Sequence, residues 1–439
     1  MSESHNTAIA PAGEVSRLAD HLFRHEAGKL VSVLTGIFGI ERLQMAEDVV
    51  QEALGRAMQT WPYYGVPKNP AAWLTQTAKN LALDLLRREK VFHEKQPQII
   101  QFIEQWADGS GEADSVAFDS ELKDRRLRLM FACCHPLIPQ ESQAALALKT
   151  LCGFGSAEIA NAFLTTEAAI AKRLTRARQK IRELRIPFEI PSGEESAVRL
   201  DGVLQTLYLL FNEGYKASAG NELVRVELCK EAMRLVDLLA AHPVGNQPRV
   251  HALAALMFLN AARLPARIDS QGNILRLEEQ NRATWDQSLI ARGLFYLSQS
   301  AAGEILSEYH LQAGIAALHC SAKDFESTDW PRILSLYDQL IRIDDSPVVA
   351  LNRAVALARV HGPRAGIEAV ECIRRPQSLE SYYLLYAVLA EFESQMSDYQ
   401  AAIGHLRKAL QLTAQSSEQT FLSAKLRNFE EQNLKAVSS

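Results

Sequence analysis

AEIANAFLTTEAAIAKRLTRAR, residues 157–178, contains two short amphipathic helices joined by a turn at Leu164–Thr165. We expect Ser156 to cap the first helix and Thr166 the second, because a side-chain oxygen can accept a hydrogen bond from a free amide of the first turn. The spacing predicts a buried face on the second helix formed by Ile170, Leu174, Ala177 and Ile181. Basic side chains between these positions then point outward, toward a phosphate backbone or base edges. The segment therefore predicts a helix-turn-helix.

Composition limits what such a motif can do alone. The chain has 439 residues and a formal net charge of −5, so two to four domains are expected and bulk electrostatics do not favour unaided binding to DNA. Either the basic charge is concentrated locally or a partner supplies much of the DNA affinity. The sequence has neither a signal peptide nor an apolar run long enough to span a bilayer, which favours a cytoplasmic protein without membrane contact.

The six cysteines include no C-x-x-C pair, and Cys133-Cys134-His135 is the one cluster that suggests a metal site. Adjacent cysteines on a helix point in different directions, so we expect core thiols rather than a metal site. The sequence shows no metal-ligand spacing, glycine-rich phosphate loop or nucleophile motif. We therefore expect no cofactor and no enzyme.

Alternating strand patterns are almost absent, and helical periodicity predicts an all-α chain. We expect a helical N-terminal domain at 15–90, a flexible linker at 91–117, the helix-turn-helix domain at 118–187 and a helical array at 196–439. The linker is inferred from its acidic, glycine- and serine-containing composition. Prolines with a Ser-Gly-Glu-Glu segment mark the boundary before the array.

The N-terminal domain is expected to contain one helix from Ala46 to about Trp61 and another from Pro70 to Arg88. The predicted core positions of the first are Val49, Val50, Ala53, Leu54, Ala57, Met58 and Trp61, and those of the second are Leu74, Ala78, Leu81 and Leu85. The opposite faces carry Asp48, Gln51 and Glu52 on the first helix and Asn80, Asp84, Arg87 and Arg88 on the second. Solvated helix faces look the same, so these polar stripes alone assign no function.

The order of three segments carries a resemblance. AEDVVQEAL (46–54), AAWLTQTAKNLALDLLRRE (71–89) and AKRLTRARQKIREL (171–184) resemble the second and fourth conserved regions of bacterial sigma factors of the extracytoplasmic-function class, group IV. LYLLFNEGYKASAG (207–220) and PVVALNRAVAL (347–357) resemble the subgroup with a helical extension related to tetratricopeptide repeats. The resemblance implies that core RNA polymerase and promoter DNA are the partners and that initiation of transcription is the function.

The resemblance also implies roles for particular residues. The face of Asp48, Gln51 and Glu52 would bind a coiled coil of the polymerase. A flipped base of the −10 element would meet Lys68, Asn69, Asn80, Asp84, Arg87 and Arg88. Trp73 could stack on that base, although its spacing favours a core position. The −35 element would meet Glu167, Ala168, Ala171, Lys172 and Arg173 at base edges and Arg176, Arg178 and Lys180 at phosphates.

The C-terminal array follows tetratricopeptide spacing at Tyr399, Ala402, Leu406 and Ala409. Stacked units of this kind leave a concave face for a protein partner or for the chain's own domains. Asn212, Glu213, Gly214 and Tyr215 have two interpretations, a helix end capped by glycine or a polar contact that regulates docking of the extension. Glu213, Asp329, Trp330 and Arg353 could line a pocket or could be buried polar groups of the array.

A second functional class stays open at this point. An autonomous helix-turn-helix regulator with a ligand-sensing C-terminal domain would share the motif and the array. Such a regulator has no use for the acidic face of Asp48, Gln51 and Glu52, so this face separates the two classes.

Overall fold

The computed structural model describes residues 26–88, 112–163, 165–215, 225–269, 275–373, 379–380, 382–413 and 416–438. Throughout these ranges the regular elements are helices, which confirms the all-α prediction. The chain divides into two compact units, Met1–Leu210 and Phe211–Ser439. None of the helices in the described ranges combines the length and apolar character that a bilayer-crossing segment needs.

The first unit begins with helix α1 at 26–38 and a short 3₁₀ turn, Ile40–Arg42. The next two helices, α2 and α3, pack against each other. Four more helices form the second half of the unit, and α8 crosses the boundary between the units. The bounds are α2 Leu43–Tyr64, α3 Pro70–Arg88, α4 Glu112–Cys133, α5 Gln140–Leu151, α6 Ser156–Ala162, α7 Glu167–Glu183 and α8 Glu194–Tyr215.

The predicted core of α2 and α3 is largely confirmed. Val49, Ala53, Ala57 and Trp61 are buried along α2, but Met58 is exposed, so its assignment to the core was wrong. Met58 lies at the edge of the apolar face, where the helical drift turns it toward solvent. On α3 the fully buried stripe is Leu74, Ala78 and Ala82, while Leu81 and Leu85 are half-buried beside it.

The helix-turn-helix forms where it was predicted. Ile170, Leu174, Ala177 and Ile181 are buried. The Thr166 Oγ1 accepts a hydrogen bond from the Ala169 amide at 3.2 Å, which confirms the second cap. The first cap is Gly155 and not Ser156: its amide donates to the Glu158 carboxylate at 2.7 Å, and Ser156 is already helical. Leu164 of the turn lies outside the described residues.

Both predicted domain boundaries shift. Helix α4 begins at Glu112, inside the segment predicted as linker, whose residues 91–111 lie outside the described ranges. At the other end, α8 belongs to the first unit as far as Leu210. The buried Arg199 guanidinium donates to the Phe131 carbonyl oxygen at 3.0 Å, which joins α8 to α4. The helix-turn-helix unit therefore extends beyond Pro187.

The cysteine cluster lies in the core of this unit, as predicted. Cys133 and Cys134 are fully buried, and the Cys133 Sγ lies 3.2 Å from the Thr150 hydroxyl oxygen. Burial raises the pKa of Cys134 to about 12, so this thiol stays protonated. No cluster of three potential metal ligands occurs among the residues that the structure describes.

The second unit is a series of helices in which most pack on their neighbours in the chain. Their bounds are α9 Val226–Ala240, α10 Pro248–Ala261, α11 Gln287–Ser300, α12 Glu308–Ser321, α13 Trp330–Ile343, α14 Pro347–His361, α15 Pro363–Glu371, α16 Tyr383–Gln395, α17 Tyr399–Leu412 and α18 Ser416–Ser438. Short 3₁₀ turns lie at Pro243–Gly245, Leu264–Ala266 and Arg282–Thr284. Small residues at Ala390, Ala402 and Ala409 are fully buried and let these helices approach closely.

Candidate functional site

The outward face of α7 is polar and basic. Pairs of exposed residues recur every four positions because the intervening positions are buried: Glu167, Ala168, Ala171, Lys172, Thr175, Arg176, Gln179 and Lys180. Six of the eight predicted −35 contacts lie on this face. Thr175 and Gln179 were missed, although their spacing from Ala171 places them on the same face. Such a face can reach bases at its N-terminal end and phosphates further along.

The other two predicted −35 contacts point elsewhere. Arg173 is half-buried and pairs with Glu141 of α5 at 2.7 Å. Arg178 donates to the Glu47 carboxylate of α2 at 2.5 Å and is only 15% exposed. In this arrangement Arg178 does not face outward with Lys172 and Lys180, because its guanidinium is turned toward the N-terminal helices.

The predicted acidic face of α2 is exposed. Asp48, Gln51 and Glu52 lie on the side opposite the buried residues. Glu52 forms a 3.0 Å ion pair with Arg56 one turn later, and both side chains are exposed. An exposed pair of this kind contributes at most about 1 kcal/mol and can rearrange when a partner binds.

The segment between α2 and α3 and the exposed side of α3 carry four of the predicted −10 residues. Lys68 and Asp84 are exposed. The Asn69 Oδ1 accepts from the Ala72 amide at 3.1 Å and so caps α3, which fixes the position of this side chain. The exposed Asn80 Oδ1 accepts from Gln76 at 3.1 Å. The side chains of Arg87 and Arg88 lie outside what the structure describes.

Two aromatic rings beside this segment were missed by the sequence interpretation. Tyr63 and Tyr64, at the end of α2, are 79% and 86% exposed. Trp73, the aromatic residue considered for stacking, instead packs edge-to-face on the buried Trp61 at 5.6 Å between ring centroids. The signal available in the sequence was the position of both tyrosines just after the last core residue, Trp61. Exposed aromatic rings next to a lysine suit unpaired bases.

A buried ion pair joins α2 to α7. Glu47 is 4% exposed, and burial raises the pKa of its carboxyl against the lowering effect of Arg178. Only one hydrogen bond links the two groups. The Glu47 Oε1 and the Arg178 Nε are buried and have no hydrogen-bond partner among the described residues. Desolvation therefore offsets most of the Coulomb gain, so the pair holds position without adding much stability.

A close backbone approach accompanies this pair. A Cβ added at Gly28 of α1 would lie 2.1 Å from the Leu151 carbonyl oxygen of α5. Only glycine permits this distance. The N-terminal helices and the helix-turn-helix are thus docked on each other within the first unit.

Family models match the two halves of this unit. Residues 22–91 match sigma-70 region 2, and residues 128–181 match sigma-70 region 4. These two matches support a sigma factor role for the chain. The two regions support a role in transcription initiation, with RNA polymerase and promoter DNA as partners. Region 2 contains α2 and α3, and region 4 contains the helix-turn-helix.

Two relatives match the chain, and one of them carries a sigma factor description. An uncharacterized protein of Rhizobium meliloti is 36% identical over 384 residues, which cover 88% of this chain and 90% of the relative. A probable RNA polymerase sigma factor, RfaY, of Xanthomonas campestris pv. campestris is 31% identical over 137 residues, 31% of this chain and 33% of that protein. Residues 199–301 match a family of unknown function, DUF6596. No solved structure matches the chain.

The segment Phe211–Tyr215 follows region 4 and packs within the second unit. Helix α8 continues to Tyr215, so of the two interpretations of this segment the one with Gly214 as a helix cap is wrong. A Cβ at Gly214 would lie 2.7 Å from the Cys229 nitrogen, which explains the glycine. Glu213 lies 3.8 Å from Arg225, and the Arg267 guanidinium stacks over the Tyr215 ring at 4.0 Å. Asn212 is exposed.

The four residues predicted to line one pocket do not meet. Glu213 pairs with Arg225, and the Asp329 carboxylate caps α13 by accepting from the Arg332 amide at 3.0 Å. Arg353 pairs with Asp338 at 2.6 Å. Trp330 alone of the four lines an apolar pocket of the second unit.

Proposed function

We propose that this sigma factor belongs to the extracytoplasmic-function class, directs core RNA polymerase to specific promoters and is modulated by its C-terminal helical extension. The observation that carries the proposal is the pair of oppositely charged, exposed faces in one unit. The basic face of α7 suits DNA, and the acidic face of α2 suits a basic polymerase helix.

The docking face is Asp48, Gln51 and Glu52. Acidic side chains arranged on one side of a helix set association rate and register with a basic partner more than affinity. An autonomous repressor would not need this face, which argues for the sigma factor over the alternative of an autonomous regulator with a ligand-sensing domain.

The residues proposed to contact the −10 element have different roles. We propose that Asn80 reads a base edge and that Lys68, Arg87 and Arg88 hold phosphates, with Asp84 and the capping residue Asn69 at the rim. Tyr63 or Tyr64 then supplies the stacking surface in place of Trp73. Stacking and polar contacts together offset the few kcal/mol that base flipping costs, about 1–3 kcal/mol coming from one stacked base.

The −35 contacts follow from the outward face of α7. Glu167, Ala168, Ala171 and Lys172 are at the N-terminal end that reaches base edges in the major groove. Arg176 and Lys180 contact phosphates. Arg173 and Arg178 join them only when their present carboxylate partners, Glu141 and Glu47, are released.

The docked arrangement of regions 2 and 4 supports a requirement for polymerase. The two promoter elements are, by their positions, separated by about 25 base pairs, or roughly 85 Å at about 3.4 Å per base pair. While Glu47 of region 2 and Arg178 of region 4 are in direct contact, the two regions cannot reach both promoter elements at once. We therefore propose that core polymerase separates the regions, and that the free chain binds promoter duplex weakly.

Run-off transcription with core polymerase tests the docking assignment. The double variant Asp48→Lys/Glu52→Lys is expected to lose most promoter-specific transcript, because both charges that face a basic partner are reversed. A matched control is Glu304→Lys/Glu326→Lys, which makes the same charge change at exposed sites of the second unit. Full transcription by the first variant would refute the docking face.

The role of the extension needs a truncation that respects the structure. Removing residues after Pro191 would delete Arg199 and its bond to Phe131, so the cut belongs after Leu210. We expect the truncated chain, checked by circular dichroism, to keep its helix content per residue and to change its transcript yield. Unchanged promoter-specific transcription would remove the proposed modulation.

A further inference from the structure

The second unit contains a pocket of about 360 Å³. This volume lies within the range of about 300–1,000 Å³ that is typical of small-molecule sites. Its walls come from the segment before α11, from the loop before α13, and from α14, α16 and α18. No part of the sigma regions lines it.

The inside of the pocket is largely carbon. Phe325 and Trp330 form one wall, with their ring centroids 5.4 Å apart in an edge-to-face arrangement. Phe392 and Phe421 lie among aliphatic side chains on the other walls. Aromatic walls of this kind favour a flat, apolar body that can stack or meet ring edges.

The rim is charged but internally neutralised. Arg276 pairs with Glu278 at 2.7 Å, with Glu279 at 3.1 Å and with Glu391 at 3.2 Å. Two further cations complete the network: Arg359 lies 3.1 Å from Glu278, and Lys425 pairs with Glu391. Three cations thus face three carboxylates across the edge of the pocket.

Arg276 and Glu391 of this network are both held in the charged form. Burial acts to lower the pKa of Arg276, but its carboxylate partners raise it above the usual value. Burial acts to raise the pKa of Glu391, and Lys425 with Arg276 brings it below the usual value. An ionic ligand would have to displace one member of an ion pair and leave the other member desolvated without a partner.

The buried carboxylate next to the pocket is also satisfied. Glu418 is buried, and its two oxygens accept hydrogen bonds from the Tyr383 and Thr413 hydroxyls. This acid therefore needs no cation from a ligand. The ring of Tyr383 remains part of the wall.

The geometry points to a binding site for a neutral small molecule with a flat aromatic body, enclosed by α14, α16 and α18. The inference rests on residues of the second unit and is independent of the proposed promoter contacts.

Two probes with the same ring system test the charge argument on the full chain. N-phenyl-1-naphthylamine is neutral, and 1-anilinonaphthalene-8-sulfonate adds a negative charge. We expect saturable fluorescence enhancement by the neutral probe at one site per chain, and binding of the anionic probe at least tenfold weaker. Equal or tighter binding of the anion would overturn the proposal, as would the absence of a saturable signal with the neutral probe.

Three variants locate the site. Ala387→Trp fills the pocket from α16, and Gln395→Trp covers its exposed edge without disturbing the core. Gln411→Trp adds the same side chain at an exposed position of α17 that does not line the pocket. We expect at least tenfold weaker binding in the first two variants and none of this loss in the third. If Ala387→Trp fails to fold by circular dichroism, Gln395→Trp decides, and unchanged binding by it places the probe elsewhere and refutes the site.

Discussion

Breaking the Glu47–Arg178 pair should separate region 2 from region 4. In Glu47→Ala the Arg178 guanidinium, 15% exposed, would keep its charge in the contact without a partner. Leaving a buried charge uncompensated costs about 3–5 kcal/mol. We take the lower end because the pair makes a single hydrogen bond. About 3 kcal/mol corresponds to a roughly 150-fold change in the opening equilibrium.

Hydrogen exchange of the full chain measures this opening. Peptides covering 43–64 and 167–183 should both exchange about 150-fold faster in Glu47→Ala. The double variant Glu47→Met/Arg178→Met replaces the pair by apolar side chains and should be neutral or more stable by about 1–4 kcal/mol. With stronger docking of the two regions, we expect this double variant to give less transcript in the run-off assay.

A matched control is Glu52→Ala, which breaks the exposed pair with Arg56 on the same helix. It should change the free energy of opening measured by hydrogen exchange by no more than about 1 kcal/mol. Equal exchange in Glu47→Ala and Glu52→Ala would refute the buried pair as the link between the regions.

The pH dependence of stability adds a check on the buried pair. Because burial raises the pKa of Glu47 above 4.5, the folded chain loses stability as the pH rises through the folded pKa and the carboxyl ionises, and the pairing with Arg178 offsets part of that loss. Glu47→Gln should flatten this dependence.

Three further predictions follow from the described residues. Tyr63→Ala/Tyr64→Ala should weaken open-complex formation on a promoter by about 1–3 kcal/mol, as measured by permanganate footprinting. Binding to core polymerase, measured by co-purification, should stay intact. Normal footprints would exclude stacking by these rings. Lys180→Ala should lower the slope of holoenzyme–promoter affinity against salt by about one unit, while Lys323→Ala, exposed in the second unit, should leave it unchanged; identical slopes would remove the phosphate contact. Burial lowers the pKa of His319 to about 3, so stability falls as the pH drops below 6.5, by about 2 kcal/mol at about pH 5. His319→Phe should remove that part of the acid sensitivity in urea unfolding at about pH 7.5 and 5, and an unaltered acid loss would contradict it.

Much of the first unit could be predicted because its signals are local. The spacing of Ile170, Leu174 and Ala177 fixes a buried face at 3.6 residues per turn, and Thr166 marks where that helix begins. The same reasoning placed Pro70 at the start of α3 and exposed Asp48 and Glu52 on α2. A turn of helix needs only its own residues to define which side is apolar.

Predictions failed where the deciding partner is distant in the sequence. Helical spacing made Arg178 one more basic residue, yet in the folded chain it meets Glu47, 131 positions away. Gly214 resembled a helix cap, but the close approach of Cys229 is what requires a glycine there. The local sequence around Arg178 or Gly214 does not indicate that Glu47 or Cys229 lies beside it.

By itself, the sequence determined where many of the helices lie, the Thr166 cap and most residues of the apolar faces of α2 and α7, and through the order of its motifs it indicated a sigma factor. Tertiary structure alone decided which outward charges are paired and where a pocket forms. Arg276 and Glu391, 115 residues apart, meet at the pocket rim only because α16 packs beside the segment before α11. Periodicity encodes the direction of a side chain, whereas its partner depends on how whole helices pack.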